Sequence, residues 1–293
     1  MQFVPYVVNG IALGLSVALI ALALALIWRT VGMIDFGLGA VYLAAAYAAY
    51  FAKGVLGLPY PAAAVVGLLA GPVASVLIYL IIYRFFLQKG ASLFVLVLVA
   101  LSVFTAAQHG LGATVTAQKF YLIDDIVPGF SFLGTRLNIV QIAKMLVSLI
   151  ALAGLAWFCL STKAGQCVLA VADNPSLAQA LGVDTNRARM WTFGVAGLIV
   201  AAAAVPEATE SGVDPYLASN PIFLGLAAII IGGLGRFRNP VLGGLLLGLA
   251  FHLAVWAFSS QWQEVVAYSL VLLALIVRPQ GLFGGMSVAR ERA

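Results

Sequence analysis

The chain has 293 residues, of which 63% are hydrophobic and only 9% are charged, and its mean hydropathy is +1.10. A soluble domain carries about 25% charged residues, so this composition excludes a soluble enzyme, a coiled coil and a disordered protein. Two cysteines are too few for a secreted disulfide framework. Long apolar runs also replace the alternating segments of about 10 residues that form a membrane β-barrel. The sequence therefore predicts an all-α polytopic membrane protein. The net charge of +5 is better explained by membrane topology than by nucleic-acid binding.

Apolar stretches that are long enough to cross a bilayer recur along the whole chain, since a spanning helix needs about 20 such residues. The candidate crossings are 6–28, 38–52, 61–83, 92–112, 139–160, 189–206, 222–235, 240–258 and 264–279. The first lacks the basic region and the cleavage site of a signal peptide, so we expect it to be a membrane span. We expect residues 1–293 to form a single transmembrane domain.

Two of these crossings are irregular. The segment 38–52 follows a first glycine-rich break at 32–39. The short segment 222–235 runs into a second glycine-rich break at 232–240. Paired interruptions of this kind point to a central transport path, and tight helix packing is the alternative role for their glycines. We therefore expect eight to ten spans with broken or re-entrant segments. The candidate path or hinge residues are Asp35, Gly37, Leu38, Gly39, Gly233 and Gly235.

Basic residues set the expected orientation. With the N-terminus outside, 11 of the 15 Lys and Arg residues fall on the inner side and four on or near the outer side. Cytoplasmic loops carry an excess of Lys and Arg, so the pattern predicts an outer N-terminus and an inner C-terminus. Two outer loops are then expected, at about 113–138 and 207–221. The first contains Asp124, Asp125 and Pro128 and is either an ordered lid or a solvated connector.

The longest inner segment, at about 161–188, contains a short helix with its own start and stop signals. Asn174 is a favourable N-cap, and Pro175 suits the first helical position, where its missing N–H has no partner to lose. Gly182 suits a left-handed C-cap. The pattern predicts a helix of about two turns between these residues, and such a helix is unstable in water unless another surface holds it.

That surface is either a partner protein or the chain's own bundle. Leu177, Ala178 and Leu181 are expected to share one face of the helix, and such a face suits docking into a groove of a partner. On the docking interpretation, the contact residues are Asp173, Asn174, Pro175, Leu177, Ala178, Leu181 and Gly182.

The sequence lacks the motifs of an enzyme or an ATPase. It has no phosphate-binding P-loop, no cluster with metal-ligand spacing and no nucleophile elbow. His109 and His252 are solitary in apolar stretches, where each either lines a pore or forms a hydrogen bond between helices. Acids are almost absent from the expected spans, which argues against an ion-driven carrier. We therefore expect no bound cofactor or metal, and a separate subunit that supplies energy.

Five motifs occur in order along the chain. They are VGMIDFG at 31–37, the run from AVADNP to LGVD at 170–184, SGVDPY at 211–216, GGLG at 232–235 and RPQGLFG at 278–284. With these motifs, nearly the whole chain resembles the permease subunits of ATP-binding-cassette importers for branched-chain and other hydrophobic amino acids. That family also includes urea and short-amide permeases. The chain departs from the pattern of this family at two places. It has Leu38 where some relatives have a polar residue, and it has Glu207 and Glu210 in a stretch that is typically apolar.

The resemblance implies a heteromeric importer with the ABC importer permease fold in the bacterial cytoplasmic membrane. A second homologous permease completes the pathway. Two ATPase subunits bind the segment at about 161–188 and carry ATP and Mg²⁺, and a periplasmic or lipid-anchored binding protein delivers the substrate. The expected substrates are leucine, isoleucine, valine or another hydrophobic amino acid. Urea or a short amide is the alternative substrate, and an ATP-independent channel or facilitator is the alternative class.

Overall fold

The computed structural model describes residues 3–115, 119–122, 129–132, 135–235 and 237–284. The helices of the first half are α1 (Phe3–Val31), α2 (Leu38–Gly54), α3 (Tyr60–Ile78), α4 (Arg84–Gln88) and α5 (Leu93–Val115). Those of the second half are α6 (Ile139–Ser161), α7 (Lys163–Asp173), α8 (Pro175–Ala180), α9 (Thr185–Ser211), α10 (Ser219–Gly232), α11 (Arg238–Ala257) and α12 (Gln263–Val277). A π-helical turn, Tyr79–Tyr83, joins α3 to α4, and strands β1 (Gly129–Phe132) and β2 (Thr135–Asn138) form an antiparallel hairpin.

In the described part of the chain, seven helices are long and apolar enough to cross a membrane. One of them is the continuous 29-residue helix Tyr60–Gln88, which includes α3, the π turn and α4. Two further apolar helices are shorter, since α2 has 17 residues and α10 has 14. These are the two segments that the sequence predicted to be irregular. The predicted all-α polytopic fold is thus confirmed.

The loop predicted at 207–221 is shorter than expected. Helix α9 continues to Ser211, so Glu207 and Glu210 belong to its last turns, and their assignment to a loop was wrong. In the other predicted outer loop, α5 extends to Val115 and the β hairpin precedes α6. The residues that suggested a lid there, Asp124, Asp125 and Pro128, lie outside the described residues.

The connections alternate between two ends of the bundle. The α8 end carries the connections α1–α2, α4–α5 and α10–α11, together with α7 and α8. The hairpin end carries α2–α3, α9–α10, α11–α12 and the β hairpin between α5 and α6. At the hairpin end, Phe120 and Val213 exchange two backbone hydrogen bonds of 3.0 and 2.7 Å. Because of the alternation, α1 begins at the hairpin end and α12 ends at the α8 end.

Helix α1 lies at the centre of the bundle, where it contacts α6, α9, α10 and α11. Between Val17 and Ile27 no residue is more than 3% exposed. A helix that is apolar all round is suited to burial on every side. The equally apolar α5 instead exposes Phe94, Leu98 and Leu101, so it presents an apolar face to lipid or to another subunit.

Close packing of α1 on α11 depends on glycines. A Cβ atom added to Gly248 would lie 2.4 Å from the Cα of Gly14, and one added to Gly244 would lie 2.7 Å from the Cα of Ala18. Small residues allow this approach in lipid, where packing rather than the hydrophobic effect holds helices together. Gly244 and Gly248 therefore form a helix-packing motif.

We expect Gly248→Ala to lower the stability of the purified chain by about 1–3 kcal/mol, because the added methyl overpacks the α1–α11 contact. Thermal unfolding in detergent measures this effect. Gly154→Ala on α6 is the matched control, since an added Cβ there has no neighbour within 4 Å and alanine favours a helix. Equal melting temperatures for the two variants would contradict the packing role.

Candidate functional site

The segment between α6 and α9 forms the short helix that the sequence predicted. The Asn174 side chain accepts a hydrogen bond of 3.0 Å from the N–H of Leu177, and Pro175 is the first residue of α8. Gly182 has a φ of +85°, which completes the left-handed C-cap. The predicted start and stop signals of α8 are confirmed.

The exposed face of α8 differs from the predicted one. Ala178 is 3% exposed and packs against Val171 and Ala188, so it holds α8 on the bundle. Leu177 and Leu181 are 56% and 76% exposed. The prediction that Ala178 shares a face with these two leucines was wrong, because Ala178 faces α7 and α9 while both leucines face outward. Two leucines thus remain as an unpartnered apolar pair on the described surface of this end.

Arg29 at the end of α1 links this segment to the bundle. Its Nη2 lies 2.6 Å from Oδ1 of Asp173, the last residue of α7. Its guanidinium also lies 4.5 Å from the ring centroid of Phe237, beside the second break. Arg29 therefore connects the end of α7 to α1 and to the connection between α10 and α11.

The first break is fastened by Asp35, which lies in the connection between α1 and α2 and is 2% exposed. Its Oδ1 accepts hydrogen bonds of 2.8 Å from the Gly37 N–H and 2.5 Å from the Tyr83 hydroxyl. Burial raises the pKa of Asp35 to about 6, and these two hydrogen bonds oppose the shift. Asp35 thus ties the first break to the π turn.

The second break is covered by the segment 278–284. Helix α10 ends at Gly232, and Gly233 has a φ of +86°. The Leu282 N–H donates a hydrogen bond of 2.7 Å to the carbonyl of Ile231, one of the last carbonyls of α10, which have no partner within the helix. A Cβ added to Gly281 would lie 2.4 Å from the Cα of Gly233. Two motifs far apart in sequence therefore form one structural unit.

Two cavities lie along one face of α1. The Trp28 cavity is nearer the α8 end, has a volume of about 360 Å³ and is lined by Leu24, Trp28, Leu234 and residues of α10, α12 and the segment 278–284. The Tyr42 cavity is nearer the hairpin end, has a volume of about 280 Å³ and is lined by Leu13, Tyr42 and residues of α9, α10 and α11.

The two cavities share the walls formed by α1 and α10. Their lining residues on α1 recur at three- and four-residue intervals, which is one face of a helix. Between the cavities, Ile20 packs on Gly225, where an added Cβ would lie 2.5 Å from the Ile20 Cγ2. This contact forms a constriction between the two cavities.

The predicted path residues separate into two groups. Gly233 and Gly235 line the Trp28 cavity. Four residues line neither of the two cavities: Asp35, Gly37, Leu38 and Gly39. Leu38 is fully buried, and a Cβ added to Gly39 would lie 2.4 Å from the Phe104 ring. In this conformation the first break is packed rather than open, and its hinge role stays a prediction.

A charged cluster that the sequence did not reveal lies near the hairpin end. The Lys144 side chain on α6 is 7% exposed, and its Nζ lies 2.5 Å from Glu207 Oε2 and 3.1 Å from Glu210 Oε2. Glu207 and His252 also line the Tyr42 cavity, whereas His109 is exposed on α5. The sequence did contain a signal for this cluster. A lysine lies inside one apolar span, and two acids that are three residues apart lie at the end of another span. The expectation that the spans hold almost no acids was therefore wrong for α9.

We expect the Leu234→Cys variant to react with a water-soluble maleimide roughly tenfold faster than the Leu38→Cys variant, since thiol reactivity follows exposure. Leu234 lines the Trp28 cavity, and Leu38 is 0% exposed. Both variants are made in a chain that lacks Cys159 and Cys167, the two native thiols. Equal rates in membranes without ATP would contradict the closed first break.

The crossings, the broken segments and the aligned cavities together define a multi-pass membrane protein of the transport-permease class. The chain belongs to the family described as "Branched-chain amino acid transport system / permease component", whose model matches residues 6–275. The resemblance inferred from the five motifs is thus confirmed. A member of this family is the permease component of an ABC transporter and works in a membrane-embedded complex with other transporter subunits.

Individual relatives cover nearly the full length. The chain is 28% identical over 307 aligned positions to the high-affinity branched-chain amino acid transport system permease protein BraD of Pseudomonas aeruginosa, with 99% of this chain and 98% of BraD covered. It is 26% identical over 304 positions to the corresponding protein LivH of Escherichia coli strain K12, with the same coverage. A solved structure, PsaBC from Streptococcus pneumoniae in complex with Fab, shares the fold with a TM-score of 0.51 and 14% identity, over 93% of this chain and 91% of that one.

Proposed function

We propose that this chain is a permease subunit of an importer in the bacterial cytoplasmic membrane that moves leucine, isoleucine, valine or a similar hydrophobic amino acid inward. The observation that carries the proposal is the alignment of two mainly apolar cavities along α1 and α10, one on each side of the constriction between Ile20 and Gly225. An apolar wall suits an aliphatic side chain and disfavours a sugar, whose hydroxyl groups would lose their hydrogen bonds to water. The relatives named as branched-chain amino acid permeases support the same substrate class.

The orientation in this proposal has the α8 end in the cytoplasm and the hairpin end outside. Arg29, Arg84, Lys89 and Lys163 lie at the α8 end, as the excess of basic residues in cytoplasmic loops requires. Lys53 lies at the hairpin end. Because α1 begins at the hairpin end and α12 ends at the α8 end, this orientation has an outer N-terminus and an inner C-terminus.

The partners are two ATPase subunits, a second homologous permease and a solute-binding protein. The ATPases dock on α8 through Leu177 and Leu181, whose exposed apolar surface is expensive to leave in water, and they bind the ATP and Mg²⁺. The second permease covers apolar surface such as that of α5. The binding protein delivers substrate at the hairpin end and supplies most of the affinity, so the permease needs few ionic contacts with its cargo.

Alternating access then follows from the contacts of α7. Closure of the ATPase dimer moves α8, and the ion pair between Asp173 and Arg29 transmits the motion to α1. The contact of Arg29 with Phe237 transmits it to the second break. A shift of α1 against α10 opens the constriction between Ile20 and Gly225, which connects the two cavities.

Reconstitution with the cognate ATPases and binding protein, followed by uptake of labelled leucine, tests the proposal. Uptake should require ATP, and unlabelled isoleucine and valine should compete. Competition by urea or acetamide, with none by the three amino acids, would replace the substrate but keep the transporter class. Uptake by the chain without any ATPase would instead establish a channel or facilitator.

A further inference from the structure

The Tyr42 cavity has a polar side and an apolar side. Leu13, Val17, Leu224 and Phe251 form much of the apolar side. Tyr42, Glu207, Asn220 and His252 form the polar side. Its volume of about 280 Å³ lies near the lower end of the range for ligand pockets, about 300–1,000 Å³. The cavity therefore offers room for a small amphipathic solute.

The charge next to the cavity is unbalanced. Lys144 is shared by Glu207 and Glu210, so with His252 neutral, one positive and two negative side chains leave a formal charge of −1. Ser211 Oγ donates to Glu207 at 3.0 Å and Gln141 Nε2 donates to Glu210 at 3.3 Å, but both of these donors are neutral. Charges at low exposure are costly unless they are paired. One further cationic group would complete the cluster, and Glu207 places the excess negative charge in the wall of the cavity.

A second feature lies in the same cavity. Tyr42 is 1% exposed, and its side chain is part of the cavity wall. Its hydroxyl can donate a hydrogen bond, which suits an acceptor group of a ligand. Asn220 lies in the first turn of α10, where the helix dipole favours a negative group. The cavity thus has a place for a cation beside Glu207 and a place for an anion between Tyr42 and Asn220.

We propose that the Tyr42 cavity is a transit subsite for the α-amino acid zwitterion. The substrate ammonium binds Glu207, its carboxylate accepts hydrogen bonds from Tyr42 and Asn220, and its side chain lies against Leu224 and Phe251. This assignment rests on the proposed function and adds to it the residues that recognise the backbone of the cargo. It also gives the subsite a basis for rejecting urea and simple amides, which carry no ammonium for Glu207.

The test compares Glu207→Gln with Glu264→Gln in the complete reconstituted importer. Glu207→Gln removes the excess negative charge but leaves the ion pair between Lys144 and Glu210 in place. Glu264 is exposed on α12, so Glu264→Gln is the control that removes one carboxylate away from the cavity. We expect Glu207→Gln to reduce leucine uptake at least about tenfold, because it deletes one partner of a desolvated charge contact. ATP hydrolysis stimulated by the loaded binding protein should change less than twofold, since α8 is untouched, and Glu264→Gln should leave both activities unchanged.

A second readout does not depend on transport. The Ser16→Cys variant, made without the native cysteines, places a thiol in the wall of the Tyr42 cavity, and saturating leucine should slow its alkylation in the purified complex. Urea at the same concentration should leave the rate of alkylation unchanged. Leucine uptake by Glu207→Gln within twofold of the wild type, or equal alkylation with and without leucine, would overturn the subsite. A wild-type importer that moves none of leucine, isoleucine and valine would overturn the proposed function itself.

Discussion

Leu181→Asp should abolish transport and the coupling of ATP hydrolysis to substrate delivery, while the chain still inserts and folds. Leu181 is 76% exposed and Leu177 is 56% exposed, so neither side chain stabilises the isolated bundle. Surface substitutions of this kind usually change stability by about 0.5 kcal/mol or less. If an ATPase groove covers α8, the same substitution buries an unpaired carboxylate at the interface, and we expect coupled activity to fall by at least about tenfold.

The matched control is Leu56→Asp. Leu56 is 69% exposed and lies in the connection between α2 and α3 at the opposite end. Co-purification of the ATPases, melting temperature and leucine uptake are measured for both variants. The docking role of α8 is wrong if the Leu181 variant keeps its ATPases and transports as well as the Leu56 variant.

Lys144→Met should cause a large loss of stability of the described bundle. It leaves Glu207 and Glu210 together without their shared cation, and their side chains are only 22% and 30% exposed. Removing one partner of a buried ion pair costs about 3–5 kcal/mol. Because both glutamates keep some contact with solvent, we expect the lower end of this range, about 3 kcal/mol. Thermal or denaturant unfolding of the purified chain in detergent measures the loss.

Two further variants identify the cause of that loss. Lys119→Met removes a lysine that is 57% exposed and lies 3.9 Å from Asp214 at the same end, so it should cost less than about 1 kcal/mol. The triple variant with Lys144→Met, Glu207→Gln and Glu210→Gln carries no charge in the cluster and should recover most of the stability. If the triple variant is as unstable as Lys144→Met alone, the loss comes from packing of the lysine stem rather than from unpaired carboxylates.

Local patterns in the sequence were sufficient to predict the apolar helices and α8, but not α7 or the β hairpin. The apolar runs predicted the crossings to within a few residues, because each helix must satisfy its backbone within the hydrocarbon and cover its thickness. Asn174, Pro175 and Gly182 predicted α8, because caps act on neighbouring N–H and C=O groups. The two glycine breaks were also visible, because they interrupt the apolar runs locally.

Contacts between distant segments were decided only by the tertiary structure. Lys144 meets Glu207 across 63 positions of sequence, and Leu282 covers the end of α10 at Ile231. Neither contact leaves a local pattern. The sequence also led to wrong assignments: it placed Glu207 and Glu210 in a loop and so left the spans almost without acids, and it placed Ala178 on the exposed face of α8.

The sequence by itself determined the apolar helices and the short helix α8, but it did not determine α7 or the β hairpin. Only the tertiary structure decided which helix faces line the cavities. In water, an amphipathic stripe marks the buried face of a helix. In lipid, the outer surface is as apolar as the interior, so α1 and α5 have similar compositions although α1 is central and α5 is peripheral. The faces of α1 and α10 that line the two cavities, and the charges beside the Tyr42 cavity, follow from how the helices pack rather than from which residues each contains.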